Sequence, residues 1–298
     1  MRAIDVHCHT ITAEWTTAMA RFIPPLESYM HRRLEPKTEA EMAEDFRQAG
    51  VLAMMIAWDA ETATGDPIVP NDSIARLTQD FPDVFLPGWA VVDPWKGKVA
   101  LRELERAVST LGLTGAKFQP QIQAFFPNDQ RHYPIWDLCQ ALGAPVLIHT
   151  GLSGIGTGMQ GGGGIKLKYG RPIPCIDDVA ADFPNLTLIA AHPAWPWENE
   201  LIAVLLHKTN VYMDISGWRP KYFPPSIKRE INGRLQDKVL FGSDYPSFPP
   251  GQYLDEFIAE GYKPEVVEKV FYRNALRVLK LEARLAGVTF DPGGTHAR

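Results

Sequence analysis

Eight short apolar runs, each followed by a longer stretch with helical spacing, leave this chain few folds to choose from. The runs read as strands over residues 3–7, 51–58, 85–91, 115–118, 145–149, 186–192, 210–215 and 238–243. Several are nearly continuous in apolar residues, such as Val51-Leu-Ala-Met-Met-Ile-Ala57 and Leu186-Thr-Leu-Ile-Ala-Ala191. Strands of that kind suit a parallel sheet covered on both faces. The stretches between read as helices over 38–49, 71–79, 99–111, 135–142, 176–182, 198–207, 225–235 and 264–279. The first opens on Thr38 with Glu41 three residues later, a capping-box pattern. Eight strand–helix units over about 280 residues predict an α/β fold, a (β/α)8 TIM barrel, ahead of a doubly wound open sheet.

No linker divides the chain, so residues 1–298 read as a single domain, with 281–298 as a C-terminal tail. Composition excludes some partners. At 45% hydrophobic and 22% charged residues this is an ordinary globular chain. A net charge of -5 with no basic stripe argues against nucleic acid. The longest apolar run, Val51 to Trp58, is too short to span a bilayer, which argues against a membrane partner. Cys8, Cys139 and Cys175 are far apart and form no C-x-x-C pair, which favours a reducing cytosol. The start lacks the apolar core of a signal peptide, so the expected location is cytoplasmic.

Barrels of this kind gather their functional groups at the C-terminal ends of the strands. Strand one ends in Asp5-Val-His7-Cys-His9, where residues i and i+2 face the same way, so His7 and His9 can share one ion. Strand four ends near Lys117, strand five in His149, strand six in His192, and strand eight leads into Asp244. Each has a plain structural reading taken singly. His149 could be a core histidine, Asp244 a helix N-cap, and His192 a residue marking a strand end before proline. Four strands ending in metal-ligand residue types within one fold frame point instead to a centre for a divalent ion such as zinc, manganese or iron.

Two long connections interrupt the rhythm, residues 10–37 after strand one and 151–174 after strand five. The second contains Gly156-Thr-Gly158-Met-Gln-Gly161, which fits G-x-G-x-x-G on paper. It starts too far past its strand and runs into more glycines, so a lid over the site is the better reading. Lys166, Lys168 and Arg171 in it could reach an acidic substrate or form a solvated basic face. Among the tryptophans near strand ends, Trp58 and Trp218 lie nearest and are candidate walls of a substrate pocket.

The set Asp5-Val-His7-Cys-His9, Leu147-Ile-His149-Thr-Gly151, Ala190-Ala-His192-Pro and Leu240-Phe-Gly-Ser-Asp244-Tyr-Pro, followed by Arg273-Asn-Ala275, resembles the amidohydrolase superfamily. More narrowly it looks like the branch that holds aminocarboxymuconate semialdehyde decarboxylase, γ-resorcylate decarboxylase and related lactone hydrolases. The resemblance implies that His7, His9, His149 and Asp244 bind one divalent metal, often zinc. It implies that His192 acts beside the metal and that Asp244 doubles as a proton shuttle. It also implies a homo-oligomer, a dimer being expected. Lys117 stays open between bridging a second metal as a carboxylated lysine, pairing with an anionic substrate, and a structural salt bridge.

Two reactions fit these residues. One is hydrolysis of a small lactone, ester or amide bearing a carboxylate, with the ion activating water and polarising the carbonyl. The other is non-oxidative decarboxylation of an aromatic or muconate-type acid. The sequence reading leans slightly to hydrolysis. A metal-binding barrel without catalysis is the third possibility, and it would leave His192 without a task.

Overall fold

The computed structural model describes residues 1–293; the last five residues, which include His296 and the end of the expected tail, lie outside the described residues. Eight parallel strands form one sheet in sequential order. They are β1 (Ala3–His9), β2 (Val51–Ile56), β3 (Phe85–Val91), β4 (Gly115–Phe118), β5 (Val146–His149), β6 (Leu188–Ala191), β7 (Val211–Asp214) and β8 (Val239–Leu240). All eight coincide with the runs read from the sequence, though β8 keeps only two residues of its run.

The sheet closes on itself. Val6 N–H donates to the Phe241 carbonyl at 3.0 Å, Asp244 N–H to the His7 carbonyl at 2.9 Å, and His9 N–H to the Tyr245 carbonyl at 2.7 Å. The Asp5 carboxylate reinforces this seam by accepting from Ser243 N–H at 3.0 Å and His7 N–H at 3.1 Å. The result is a (β/α)8 TIM barrel. Its strands are buried almost throughout, which is why their sequences run apolar with little alternation.

Helices cover the outside. The helix Glu39–Ala49 starts at the expected capping box: Thr38 Oγ1 accepts from Glu41 N–H, and Glu41 Oε2 accepts from Thr38 N–H. It packs Phe46 against Phe85 and Tyr245, at ring separations of 5.9 and 5.0 Å. Two short helices, Ala13–Ala18 and Ile23–Met30, fill the first long connection. The connection after β5 holds single 3-10 turns at Gln160–Gly164 and Leu167–Gly170. These two connections meet above the barrel mouth, where Leu26 Cδ1 lies 3.5 Å from the Cβ position of Gly154. No helix among the described residues is long and apolar enough to cross a membrane.

Candidate active site

β1 carries His7 and His9 into one site, their rings 5.4 Å apart, while the Asp5 carboxylate turns to the seam with the last strand. His7 sits at the centre and is fully buried. Its Nδ1 lies 2.9 Å from Asp214 Oδ2 at the end of β7. A carboxylate only accepts, so Nδ1 carries the proton and Nε2 presents a lone pair. That lone pair faces two groups, and a third joins them. Asp244 Oδ1 lies 3.5 Å from it, Lys117 Nζ lies 3.3 Å away, and His9 Nε2 lies 3.5 Å from the same Asp244 oxygen.

The donors of His7, His9 and Asp244 all lie within 4.8 Å of one another. Ligands about 2.1 Å from a tetrahedral ion stand roughly 3.4 Å apart, so the two 3.5 Å separations already match a coordination edge. His9 Nδ1 is buried without a hydrogen-bond partner, which leaves its ring no competing anchor. These residues fit a divalent ion. His149 stands apart from the trio. Its Nε2–H donates to the Leu152 carbonyl at 3.2 Å, and its Nδ1 lies 3.1 Å from His192 Nε2.

β7 supplies two groups absent from the sequence reading, Asp214 and Ser216. Asp214 Oδ1 accepts from His192 N–H at 3.1 Å and Ser216 N–H at 2.9 Å, while its Oδ2 holds His7. Ser216 Oγ donates to Asp214 Oδ1 and lies 2.8 Å from His192 Nδ1. Asp214 therefore fixes the two histidines at once. It ends its strand just as His149 does, and the strand-end rule could have found it. Ser216, two residues on, carries no such signal.

Charge follows this geometry. Burial pushes His9 down to about 3 and His192 to about 4, and holds His149 well below its ordinary value. All three rings are neutral at pH 7, the state in which an imidazole ligates. Burial alone would raise Asp214 and Asp244, but the facing histidines and Lys117 outweigh it and hold both carboxyls below their ordinary value. Burial lowers Lys117 to about 8, and it still carries its charge near neutrality. His192 and Asp244 both adopt left-handed backbone angles, φ +72° and +59°. Such conformations are rare outside glycine and gather at functional sites.

Above these groups lies a cavity of about 70 Å³. His9, His149, His192 and Asp244 meet it, Trp15, Met19, Leu26, Leu34, Trp58 and Ile155 supply its apolar walls, and Gln119, Ser153 and Ser247 add polar side chains. A further space of about 100 Å³, lined in part by His192, Asp244 and Trp218, leads to an outer cleft of about 540 Å³ that Trp218 also lines. Both tryptophans singled out in the sequence thus border the approach. Lys117 does not; it is fully buried beneath His7. In the loop after β5, Arg171 pairs with Glu200 and Lys168 stacks near Phe126 and Tyr169, so neither points its charge into the cavity.

Comparison with known proteins identifies the family and the fold. The amidohydrolase family model matches residues 4–281. A 2-amino-3-carboxymuconate-6-semialdehyde decarboxylase from Dictyostelium discoideum is 24% identical over 241 residues, which is 71% of this chain and 66% of that one. An uncharacterised TIM-barrel protein from Bordetella bronchiseptica superposes with a TM-score of 0.78 at 25% identity, over 95% of this chain and all of the other. A 5-carboxyvanillate decarboxylase from Novosphingobium aromaticivorans, in complex with manganese and a nitrobenzoic acid, shares the fold with a TM-score of 0.66 at 18% identity, over 94% of this chain and 96% of its own. With the strand-end histidines and aspartates gathered at one barrel mouth and the family pattern running from the first strand to the last helix, the chain belongs to the amidohydrolase family of enzymes.

Proposed function

We propose that this enzyme is a divalent-metal-dependent decarboxylase of a small aromatic or muconate-type acid. The observation that carries the reading is the combination of the His7–His9–Asp244 trio with an inner cavity walled by two tryptophans and four aliphatic side chains. Flat apolar walls suit a planar ring or conjugated chain. The carboxymuconate semialdehyde decarboxylase relative supports the same chemistry. The slight lean to hydrolysis in the sequence came from residues that serve both reactions, so it yields to these two observations.

His7, His9 and Asp244 would hold the ion, with His149 the fourth donor once its ring leaves the Leu152 carbonyl. When bound, the ion supplies a positive charge that orients and polarises the acid. The protein's own groups do the rest. The bond between the ring carbon and the carboxylate breaks, its electron pair stays on carbon, and CO2 departs. Asp244, ionised in the resting site, takes a proton from a substrate hydroxyl or from water and passes it to that carbon. His192, fixed by Asp214 through its backbone and by Ser216 through its ring, lines the same cavity and steadies the negative charge that develops.

The test is CO2 release from a panel of hydroxybenzoic, carboxyvanillic and muconic acids, run beside lactones and esters with manganese- and zinc-loaded enzyme. Release of CO2 from one of the acids, reduced by about 10²–10⁴-fold in Asp244→Asn, is the expected result. Lactone or ester opening without CO2 from any acid would overturn the proposal.

A further inference from the structure

Lys117 is the one ammonium buried among the candidate ligands, and its position is unusual. β4 carries it into the barrel interior, where it is fully buried. Among the described residues no carboxylate lies within ion-pair distance of Nζ, and the one hydrogen bond it makes is to His7 Nε2 at 3.3 Å. A buried ammonium usually sits on a carboxylate. Here two carboxylates, Asp214 and Asp244, are close enough to raise its proton affinity, yet the hydrogen bond goes to an imidazole.

The choice of partner matters because of what holds the other side of that ring. Asp214 Oδ2 accepts a hydrogen bond from His7 Nδ1–H at 2.9 Å, so the Nε2 lone pair is the only one the ring has left. A lone pair serves one acid at a time, either an N–H donor or a metal ion. We propose that Lys117 is a built-in competitor for the metal: its ammonium holds the His7 Nε2 lone pair when no ion is bound, and an ion must displace it to enter. This inference rests on the metal-centre reading above.

Two consequences follow from the charges. Lys117 offsets part of the negative charge of Asp214 and Asp244. It also repels an incoming divalent ion at close range, so it weakens metal affinity. A lysine that acted as a ligand, directly or as a carboxylated bridge, would have the opposite effect. The sign of the change on removing the amine therefore separates the roles.

The experiment is isothermal titration of MnCl2 and ZnCl2 into chelator-stripped protein, wild type against Lys117→Met. The expected result is metal binding about tenfold or more tighter in the variant. Equal affinity would overturn the inference, and so would weaker binding, which would make Lys117 a ligand or bridge. Far-ultraviolet circular dichroism checks that the variant folds. If it does not, Lys117→Gln removes the charge while keeping a polar end group, and the same tightening is expected. Wild-type protein that binds neither ion would instead overturn the metal centre itself, so the two failures are distinguishable.

Discussion

Gly217 has φ +77°, and a Cβ there would lie 2.5 Å from His192 Nδ1. The position needs glycine for its backbone angle and for the room it leaves the imidazole. Gly217→Ala should therefore push His192 off its Ser216 contact while leaving the barrel folded. A displacement near 1 Å at a catalytic group costs about 10²-fold in rate. Measured kcat should fall by about that factor with an unchanged circular dichroism spectrum; full activity would show that His192 position is not critical. The buried rings also govern stability against pH. Burial depresses His9 to about 3 and His192 to about 4 from an ordinary 6.5. A depressed folded pKa gives stability that is present above the unfolded value and lost as pH falls toward the folded one. Each ring adds a slope of about 1.4 kcal/mol per pH unit within that window. Asp5 acts the other way: burial raises it from 3.8 to about 6, so its contribution is present below about 3.8 and is lost as pH rises through about 6. His149, which burial also depresses, adds a third ring with the same slope, and Asp5 offsets one ring of the three between pH 4 and 6. Metal-free protein should thus lose on the order of 2–5 kcal/mol between pH 6.5 and 5. Urea midpoints at pH 7, 6 and 5 measure this, and a flat or rising midpoint would contradict the neutral-histidine assignment.

The elements differ in how far their sequences announce them. β2 is announced plainly, because Val51–Ile56 is buried along its whole length and every residue in it is apolar. The helix Glu39–Ala49 is announced by its cap, since Thr38 and Glu41 complete each other within four residues. The helix Ile23–Met30 is hidden, because Pro24 and Pro25 look like breakers. They sit in its first turn, where the missing N–H groups have no helical partner and the fixed φ suits the helix. Pro250 hides the start of Pro250–Ala259 in the same way. The last predicted helix, 264–279, is present but is interrupted by a π turn at Lys269–Arg273, which no local pattern signals. The candidate site divides along the same line. His7, His9, His149, His192 and Asp244 are legible because strand ends in a barrel are functional positions. The Lys117–His7 hydrogen bond is not, because it joins residues 110 positions apart. Nor are the left-handed angles of His192 and Asp244, since neither residue type demands them.

At the scale of the whole molecule the candidate metal centre falls on the seam that closes the barrel. β8 has two residues in its ladder with β7, and it meets β1 through three backbone hydrogen bonds and the Asp5 carboxylate. His7 and His9 belong to β1, and Asp244 follows β8, so an ion bound by all three ties the last strand to the first. Unfolding must open this seam, and the unfolded chain cannot assemble the same three ligands. Binding to the folded state alone then stabilises by RT ln(1 + [L]/Kd), about 2.7 kcal/mol at a hundred times Kd. Manganese at that concentration should raise the unfolding free energy of the wild type by about this amount, read from urea melts with and without the ion. His9→Ala, which removes one ligand from the β1 side, should lose most of the gain while keeping its metal-free stability within about 1 kcal/mol. Hydrogen exchange locates the effect: the amides of Val6, His9 and Asp244, which cross the seam, should slow more on metal addition than those of β3 and β4 on the far side. Uniform slowing around the barrel would mean that the ion stabilises the fold without clipping the seam, and no slowing at saturating manganese would mean that the three side chains do not share an ion.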